Sequence, residues 1–360
     1  MGTRKNRKYK NNETRRCRSF NQTGFIYPAS FFPGYIANNL RFGRMKTMAL
    51  PKIDTSDRIA DFGTKNSNIV FLGEIQPLGK SKLHVSDSIK SALRGKTVVI
   101  NLESPVCHEL GKCRAQKSIL PSFAMDVDEF KRIVHAFGLD YTKLIVNIAN
   151  NHSFDTGPDA IDTTTHELES LGCKVIGTTE RPHCMVDGVR MIGCTSRLNL
   201  LASPHAKRII QPDDIPLNDN VPTIVYIHWG WEYYEDPDEQ SVALAKQLAN
   251  MTGCSPNANI IGIVGHGPHV LQKVCKYNNT ICAYSLGDTV VRSKRPVSVH
   301  NPRALSGMVK CNIEGGKMTS MHMIPLLQSH KGTEVKLFEA DTEDSLERYR
   351  ALRGIERRLR

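Results

Sequence analysis

Residues 143–157 read KLIVNIANNHSFDTG, an apolar run that ends in carboxamide, imidazole and carboxylate side chains. The run over 143–149 is rich in β-branched residues and apolar on both faces, which is typical of a strand buried on both sides. Asn150, Asn151 and His152 follow it directly, and Asp155 lies just beyond them. Ligands bind at the C-terminal ends of the strands in an open α/β sheet, so this segment predicts one part of a binding site.

Short apolar runs alternate with amphipathic stretches on both sides of this segment. Runs typical of strands occupy 68–73, 97–102, 143–149, 173–177, 189–194, 222–228, 259–264 and 281–286. Helices are predicted over 126–138, 158–171 and 238–251, and an antiparallel hairpin over 307–313 and 317–324. This alternation predicts an α/β layer protein with one compact domain over residues 66–330.

Polar side chains close four more of these strands, each at its C-terminal end. Glu74 follows the run 68–73, Glu103 follows 97–102, and His228 ends 222–228. His266 and His269 follow the run 259–264. Because the C-terminal ends of such strands lie side by side at one edge of a sheet, we expect the five segments to meet at a single site.

The types of donor in these segments favour a metal site. Oxygen and nitrogen donors without thiolate suit Mn, Mg, Fe or Zn ions, and a cluster of this size can hold two of them. Two adjacent cations bind phosphoryl oxygens and lower the pKa of a bridging water, which indicates hydrolysis of a phosphoester-type bond. The predicted metal ligands are Glu74, Glu103 and Asn151 through oxygen, and His228, His266 and His269 through nitrogen. His152 is predicted to protonate the leaving group, and Asp155 to orient its imidazole.

Each of these residues also has a purely structural interpretation. An Asn-Asn-His turn can cap the helix that follows it. The stretch GHGPH at 265–269 can be a tight turn, and Trp229 and Trp231 are typical of packing. Five separate strand ends would then all be polar for unrelated reasons, so we favour the shared site.

The formal charge of +12 is concentrated at the N-terminus. Residues 1–50 hold 11 Lys and Arg residues and one acidic residue, which leaves 37 bases and 35 acids for the rest of the chain. This basic arm is predicted to be mobile, with contact to nucleic acid or an anionic surface as the functional alternative. Residues 331–360 are predicted to form a charged helix or tail. No signal peptide or transmembrane segment is visible, so the expected location is cytoplasmic.

The ten cysteines contain no C-x-x-C pair and, without a signal peptide, are expected to be reduced. A turn at Asn278-Asn279 would place Cys275 and Cys282 directly opposite each other across a hairpin, close enough for a disulfide. Two core thiols are the favoured interpretation, and a disulfide is the alternative.

Six motifs at these positions resemble the capsule-synthesis CapA family of poly-γ-glutamate biosynthesis proteins. They are FLGE at 71–74, NLESPV at 101–106, ANNHSFDTG at 149–157, HWGWEYYEDPDEQ at 228–240, GHGPHVLQ at 265–272 and YSLGD at 284–288. The resemblance covers about residues 66–330. It implies a four-layer α/β/β/α metallophosphoesterase-like sandwich with mixed sheets and a dinuclear-type metal pocket at the strand ends. It also implies a role in making, exporting or anchoring poly-γ-glutamate or a similar anionic polymer.

Three positions depart from the family's pattern. Glu74 stands where the family usually has Asp, Gly267 takes the place of the first His of a His-Pro-His motif, and Asp288 takes the place of Asn. His266 is the substitute for the imidazole that is lost at Gly267. These departures predict that one of the two ions is held weakly or is absent.

Two functions remain open on this sequence. The first is a metal-dependent hydrolase that acts on an anionic polymer or another phosphoester substrate. The alternative is a non-catalytic component that uses a degenerate metal pocket to bind a carboxylate-rich polymer or a synthase partner.

Overall fold

A computed structural model describes residues 68–339 except for 109–114, 116–121, 200–202, 216–219, 235, 250–258, 293–304 and 316. The basic arm over 1–50 and the segment 340–360 lie outside the described residues. The strands are β1 Ile69–Ile75, β2 Lys82–Val85, β3 Thr97–Leu102, β4 Val106–Cys107, β5 Met125–Asp126, β6 Leu144–Asn147, β7 Lys174–Ile176, β8 His183–Val186, β9 Val189–Thr195, β10 Thr223–His228, β11 Ile260–His266, β12 Val274–Tyr277, β13 Thr280–Ala283, β14 Asp288–Val290, β15 Leu305–Glu314, β16 Lys317–Lys331 and β17 Glu334–Glu339. The helices are α1 Asp87–Leu93, α2 Val127–Phe137, α3 Ala160–Ser170 and α4 Glu239–Leu248. Within these ranges, none of the helices has both the length and the apolar composition needed to cross a bilayer.

Most of the strands form two mixed sheets. The first sheet has the order β2-β17-β16-β15-β1-β3-β6-β7, and β14 also pairs with β1. The second sheet has the order β12-β13-β11-β10-β9-β8, in which the four central strands are parallel and both edge strands are antiparallel to their neighbours. The predicted hairpin is present as β15 and β16. These sheets and the few helices confirm the predicted mixed α/β class.

The two sheets pack face to face. Phe71 of β1 and Val99 of β3 lie in one apolar cluster with Tyr226 of β10 and Val264 of β11. Helices α1, α2 and α3 cover the outer face of the first sheet, and α4 covers the outer face of the second. The layers therefore follow the order helices, sheet, sheet, helix.

Helix α2 shows how local chemistry sets the ends of an element. The side chain of Asp126 accepts a hydrogen bond from the N–H of Glu129 at 2.6 Å, and Gly138 ends the helix in the left-handed conformation. The Glu129 side chain in turn accepts bonds from the N–H groups of Leu78 and Gly79 at 2.5 and 2.6 Å. The prediction of a helix over 126–138 is therefore confirmed to within a residue at each end.

The sequence analysis does not predict two strands near one edge of the first sheet. β2 and β17 pair in parallel, and β17 continues the sheet beyond β16. Glu334–Glu339, which the sequence analysis assigned to a charged helix or tail, forms a strand of the first sheet, so this sheet extends beyond the predicted limit of residue 330. Val335 and Leu337 are buried and Lys336 between them is exposed. This alternation covers only a few residues among many charged ones, so it gives a weak sequence signal.

Cysteine chemistry differs from expectation at one position. Cys107, at the end of β4, is disulfide-bonded, so the prediction of reduced thiols is wrong there. Cys275 and Cys282 lie in register across the β12–β13 hairpin, and both are free thiols as predicted. Asn278 in the intervening turn has a φ of 52°, which matches the expected tight connection.

Candidate metal centre

The register of the strands brings the predicted site residues together. In the first sheet, Glu74 of β1 lies in register with Asn101 of β3 on one side and with Asp288 of β14 on the other. In the second sheet, His228 of β10 lies in register with His266 of β11 at the C-terminal ends of parallel strands. Because the sheets pack face to face, the strand ends of both contribute to one site.

Three atoms from the two sheets surround one point. Oε1 of Glu74 lies 3.1 Å from Nδ1 of His228 and 3.7 Å from Nδ1 of His266, and the two nitrogens are 3.2 Å apart. A triangle with these sides has its centre about 2 Å from each atom, which is the distance at which Zn²⁺ binds carboxylate oxygen and imidazole nitrogen. These three buried groups can therefore hold one divalent cation.

A second group of possible ligands shares Glu74 with the first. Glu74, Glu103, His269 and Asp288 each offer one atom, and these atoms lie within 4.8 Å of one another. Nδ1 of His269 is 2.6 Å from Oε2 of Glu74 and 2.9 Å from Oδ1 of Asp288. Its Nε2 is 3.8 Å from Oε1 of Glu103. In this group the imidazole contacts the carboxylates directly, so a cation has to replace those contacts.

Several buried oxygens of the site lack hydrogen bonds from any residue that the structure describes. They are both oxygens of Glu74, Oε1 of Glu103 and Oδ1 of Asn151. Glu74 and Glu103 have no exposed surface, and Asn151 is 3% exposed. Glu74 is partly compensated, because Nδ1 of His269 lies 2.6 Å from its Oε2. Burying polar oxygens without a partner is costly, and Oε1 of Glu103 and Oδ1 of Asn151 have no contact of that kind in the described part of the chain. The orphaned oxygens, and a donor set made of oxygen and nitrogen alone, therefore fit a bound cation.

Burial and neighbouring charges give the imidazoles different protonation states. Burial lowers the pKa of His228, and it lowers the pKa of His266 to about 4, so both rings are neutral as metal binding requires. Burial opposes a charge on His269, but the carboxylate of Glu74 and its neighbours raise the pKa of His269 well above its usual value. Burial would raise the pKa of Glu74, yet the charge of His269 and the imidazole contacts bring that pKa well below its usual value. Burial, followed by the charge of Glu74, raises the pKa of Glu103 to about 8.

His152 and Asp155 form a pair beside this cluster. Nδ1 of His152 lies 2.6 Å from Oδ2 of Asp155, while its Nε2 lies 3.9 Å from Oε1 of Glu103. The ring of Phe123 packs against the imidazole, and the Phe123 N–H donates to the same Asp155 oxygen at 2.7 Å. Burial acts to lower the pKa of His152, but the charge and hydrogen bond of Asp155 raise that pKa above its usual value. The imidazole is therefore held with Nε2 toward the cluster and is suited to donate a proton.

Glycine permits the close approach of the segments that carry the site. A Cβ at Gly73 would collide with the carbonyl oxygen of Gly287, and a Cβ at Gly267 would collide with the carbonyl oxygen of Trp229. His269 itself has a φ of 61°, a conformation that is uncommon for residues other than glycine. Backbone strain of this kind concentrates at functional sites. The glycines of FLGE and GHGPH thus have a steric role next to the ligands.

The structure brings seven of the eight predicted side chains into one continuous set of contacts. They are Glu74, Glu103, His152, Asp155, His228, His266 and His269. Asn151 adjoins His152 in the chain, and its Oδ1 is one of the buried oxygens without a hydrogen bond among the described residues. Asp288 was not predicted as a ligand. It follows the predicted strand 281–286, so the rule that identified the other strand ends would have found it.

Comparison with known proteins identifies the family. The family model for bacterial capsule synthesis protein PGA_cap matches residues 81–184 and 217–293. The PGA biosynthesis protein CapA of Bacillus subtilis (strain 168) is 28% identical over 211 residues, which are 53% of this chain and 52% of that protein. The capsule biosynthesis protein CapA of Bacillus anthracis is 28% identical over 266 residues, which are 65% of this chain and 61% of that protein. The chain therefore spans between half and two thirds of the length of these two relatives.

A distant likeness to a solved structure adds nothing to this assignment. The match to the sulfate thiohydrolase SoxB of Thermus thermophilus, in complex with glycerol, covers 82% of this chain and 62% of the SoxB chain. The sequence identity is 7% and the TM-score is 0.36. The family model, in contrast, matches half of the chain, and its two segments include most of the motifs that carry the resemblance. The resemblance is confirmed, and the chain belongs to the family of bacterial capsule synthesis protein PGA_cap.

Proposed function

We propose that this protein is a metal-dependent hydrolase of the metallophosphoesterase type that acts in capsule or poly-γ-glutamate biosynthesis. The order helices, sheet, sheet, helix supports a four-layer metallophosphoesterase-like sandwich. The names of the two curated relatives support the biosynthetic role. The proposed substrate is an anionic polymer or a phosphoester, and the proposed partner is a synthase of that polymer.

One observation carries the metal-dependent part of the proposal. Oε1 of Glu74 and Nδ1 of His228 and His266 surround a point about 2 Å from each atom, which matches the distance at which Zn²⁺ binds oxygen and nitrogen ligands. These side chains come from three different strands in two sheets. The alternative interpretation treats the same contacts as hydrogen bonds among buried side chains, and the ion content of the protein separates the two.

The two ligand groups differ in their readiness for a cation. The Glu74, His228 and His266 group has two neutral imidazoles at coordination distances. The group that contains His269 is closed by direct contacts of 2.6 and 2.9 Å to carboxylates. We therefore propose one tightly held ion at the first group and a weaker one at the second.

The residues of the chain have separate parts in the proposed hydrolysis. Bound divalent ions supply charge stabilisation for a phosphoryl oxygen and lower the pKa of a water nucleophile. His152 donates a proton from Nε2 to the leaving group. Asp155 holds Nδ1 of that imidazole, and Phe123 covers the ring against solvent. Gln76 donates a hydrogen bond to Oε2 of Glu103 at 2.6 Å, which leaves Oε1 directed to the ligand group.

Elemental analysis of the purified protein tests the proposal directly. We expect close to one tightly held Mn, Fe or Zn ion per chain, and loss of that ion in a Glu74→Gln variant. Glu239→Gln is the matched control, because Glu239 is exposed at the start of α4. We also expect turnover of bis(p-nitrophenyl) phosphate that stops on chelation and returns with Mn²⁺. A wild-type protein that retains no ion after exposure to Mn²⁺, Zn²⁺ and Fe²⁺ contradicts the proposal.

A non-catalytic function is the second candidate, and one contact favours it. His269 lies between Glu74 and Asp288, so a protonated imidazole partly neutralises these carboxylates without an ion. A pocket of this kind would bind a polymer or a synthase partner without turnover. Poly-γ-glutamate binding that survives chelation and His152→Ala supports this candidate. Metal-dependent phosphodiester turnover removes it.

A further inference from the structure

The β12–β13 hairpin connects two of the residues in the second ligand group. His269 lies six residues before Cys275, and Asp288 lies six residues after Cys282. Cys275 and Cys282 are in register across the hairpin, and both are free thiols. Each cysteine is therefore six residues along the chain from one of the two ligands.

A ladder of backbone contacts continues from the thiols toward the site. The N–H of Tyr284 donates to the carbonyl of Lys273 at 3.1 Å, one step beyond β12 and β13. The N–H of Gln272 donates to the carbonyl of Ser285 at 3.0 Å. The hairpin is thus paired beyond the ends of its two strands.

The same ladder ends at the ligands themselves. Leu271 and Leu286 form an antiparallel bridge, which follows the Gln272 contact directly. Nδ1 of His269 then meets Oδ1 of Asp288 at 2.9 Å. The pairing extends from the thiols to Leu271 and Leu286, and the His269–Asp288 contact lies two residues beyond that bridge, so the hairpin links the separation of its strands to the position of these ligands.

The two thiols can form a disulfide if the two strands move closer together. Directly opposed residues of an antiparallel pair have Cα atoms about 4.5–5.5 Å apart, within the range of disulfides. Their Cβ atoms are about 4.5–5.5 Å apart, whereas a disulfide needs about 3.8 Å. Bond formation therefore draws the strands together by about 1 Å. Cys275 is half-buried and accessible to a small oxidant, and Cys282 lies fully buried behind it.

We propose that Cys275 and Cys282 are a reversible oxidation site whose disulfide weakens cation binding by Glu74, Glu103, His269 and Asp288. The coupling rests on the proposed function, since it requires these residues to bind an ion. The oxidant is a low-molecular-weight disulfide, such as oxidised glutathione.

The exchange proceeds in two balanced steps. The sulfur of Cys275 attacks one sulfur of the oxidant, which forms a mixed disulfide and releases one small thiol. The sulfur of Cys282 then attacks the sulfur of Cys275 and releases the second small thiol. Two protein thiols are oxidised to one disulfide, one small disulfide is reduced to two thiols, and the two protons pass from the cysteines to the released thiols.

The expected loss of metal affinity follows from the small variation in metal–ligand distance that such sites allow. Ligand distances in such sites hold to about 0.2 Å, so a displacement of about 1 Å at the hairpin is large if even part of it reaches His269 and Asp288. Loss of the groups that support metal ligands typically weakens affinity by about 10–100-fold. We expect the disulfide to weaken binding of Mn²⁺ at the weaker position by about 10-fold or more.

The experiment compares the full chain after incubation with reduced or oxidised glutathione. Peptide mapping by mass spectrometry reports the cross-link, and titration with Mn²⁺ alone reports affinity. Cys184→Ser is the matched control, because Cys184 is the other half-buried free cysteine among the described residues. We expect the wild type and Cys184→Ser to form the cross-link and lose affinity, and to recover it with dithiothreitol. Cys275→Ser should keep its affinity in both conditions.

Each result has a distinct meaning for the two proposals. Absence of a Cys275–Cys282 peptide after oxidation overturns the oxidation site. A cross-linked protein with unchanged Mn²⁺ affinity overturns the coupling and leaves the proposed function standing. A reduced protein that binds none of Mn²⁺, Zn²⁺ and Fe²⁺ overturns the proposed function and the coupling together.

Discussion

Replacing His266 with Leu should remove most of the stabilisation that Mn²⁺ gives to the folded protein. His266 has no exposed surface, and its Nδ1 is one of the three atoms around the first cation position. Leu fills a similar volume beside Tyr226, whose ring centroid lies 4.5 Å from that of the imidazole. It has no lone pair, so the change removes a ligand without a large cavity.

The size of the effect follows from mass action. An ion at a concentration 100 times its dissociation constant stabilises the folded state by about 2.7 kcal/mol. If loss of the imidazole weakens binding 100-fold, the same concentration contributes about 0.4 kcal/mol. At about 2–4 °C per kcal/mol, Mn²⁺ should raise the Tm of the wild type by about 5–10 °C and that of the variant by about 1–2 °C.

Differential scanning fluorimetry of the chelated protein, with and without added Mn²⁺, measures both shifts. His135→Leu is the matched control, because His135 is exposed near the end of α2 and contributes to neither ligand group. It should show the full shift of the wild type. Equal shifts in the wild type and in His266→Leu would refute the assignment of Nδ1 as a ligand.

Three further perturbations test other parts of the site and the fold. His152→Ala should lower kcat on bis(p-nitrophenyl) phosphate by about 10²–10⁴-fold at unchanged ion content, with a smaller loss in Asp155→Asn; full turnover in both would exclude the imidazole as proton donor. Burial raises the pKa of Glu129 despite its hydrogen bonds from backbone N–H groups, so wild-type stability falls as pH rises from the unfolded pKa to the folded one. Glu129→Gln should lack this fall in urea unfolding between pH 4 and pH 7, and parallel pH profiles for the two proteins would contradict the assignment. Gly267→Ala should lower the free energy of unfolding by about 2 kcal/mol or more, because its Cβ meets the carbonyl of Trp229; an unchanged urea midpoint would show that the two segments can separate.

The parts of the fold that the sequence predicts are those set by local chemistry. Asp126 and Asp238 cap α2 and α4 with their side chains, and Gly138 ends α2, as expected from residue type and position. Long apolar runs in central strands are equally clear. β2 is a short edge strand and β17 lies next to it, both carry exposed charged residues, and β2 becomes part of the sheet only through its pairing with the distant β17.

In the candidate site, too, the local features can be predicted from the sequence and the long-range contacts cannot. The types of residue at the strand ends predict that carboxylates and imidazoles meet, and the structure places them in contact. The sequence does not show that His269 lies between Glu74 and Asp288, because that contact depends on the register of β14 against β1. Nor does it predict the disulfide at Cys107, which conflicts with the expectation that the cysteines are reduced.

The pairing of Glu74 with Asp288 also has a consequence for how the protein is made. These residues are more than two hundred positions apart in the chain, yet they lie in register on adjacent strands. A ribosome completes β1 long before it reaches β14, and the chain emerges N-terminal part first. A nascent chain therefore cannot bring the two carboxylates together until nearly the whole domain has left the ribosome. Loading of the second ligand group is accordingly among the last events in the synthesis of the molecule, and chains that end before β14 should be unable to complete that group.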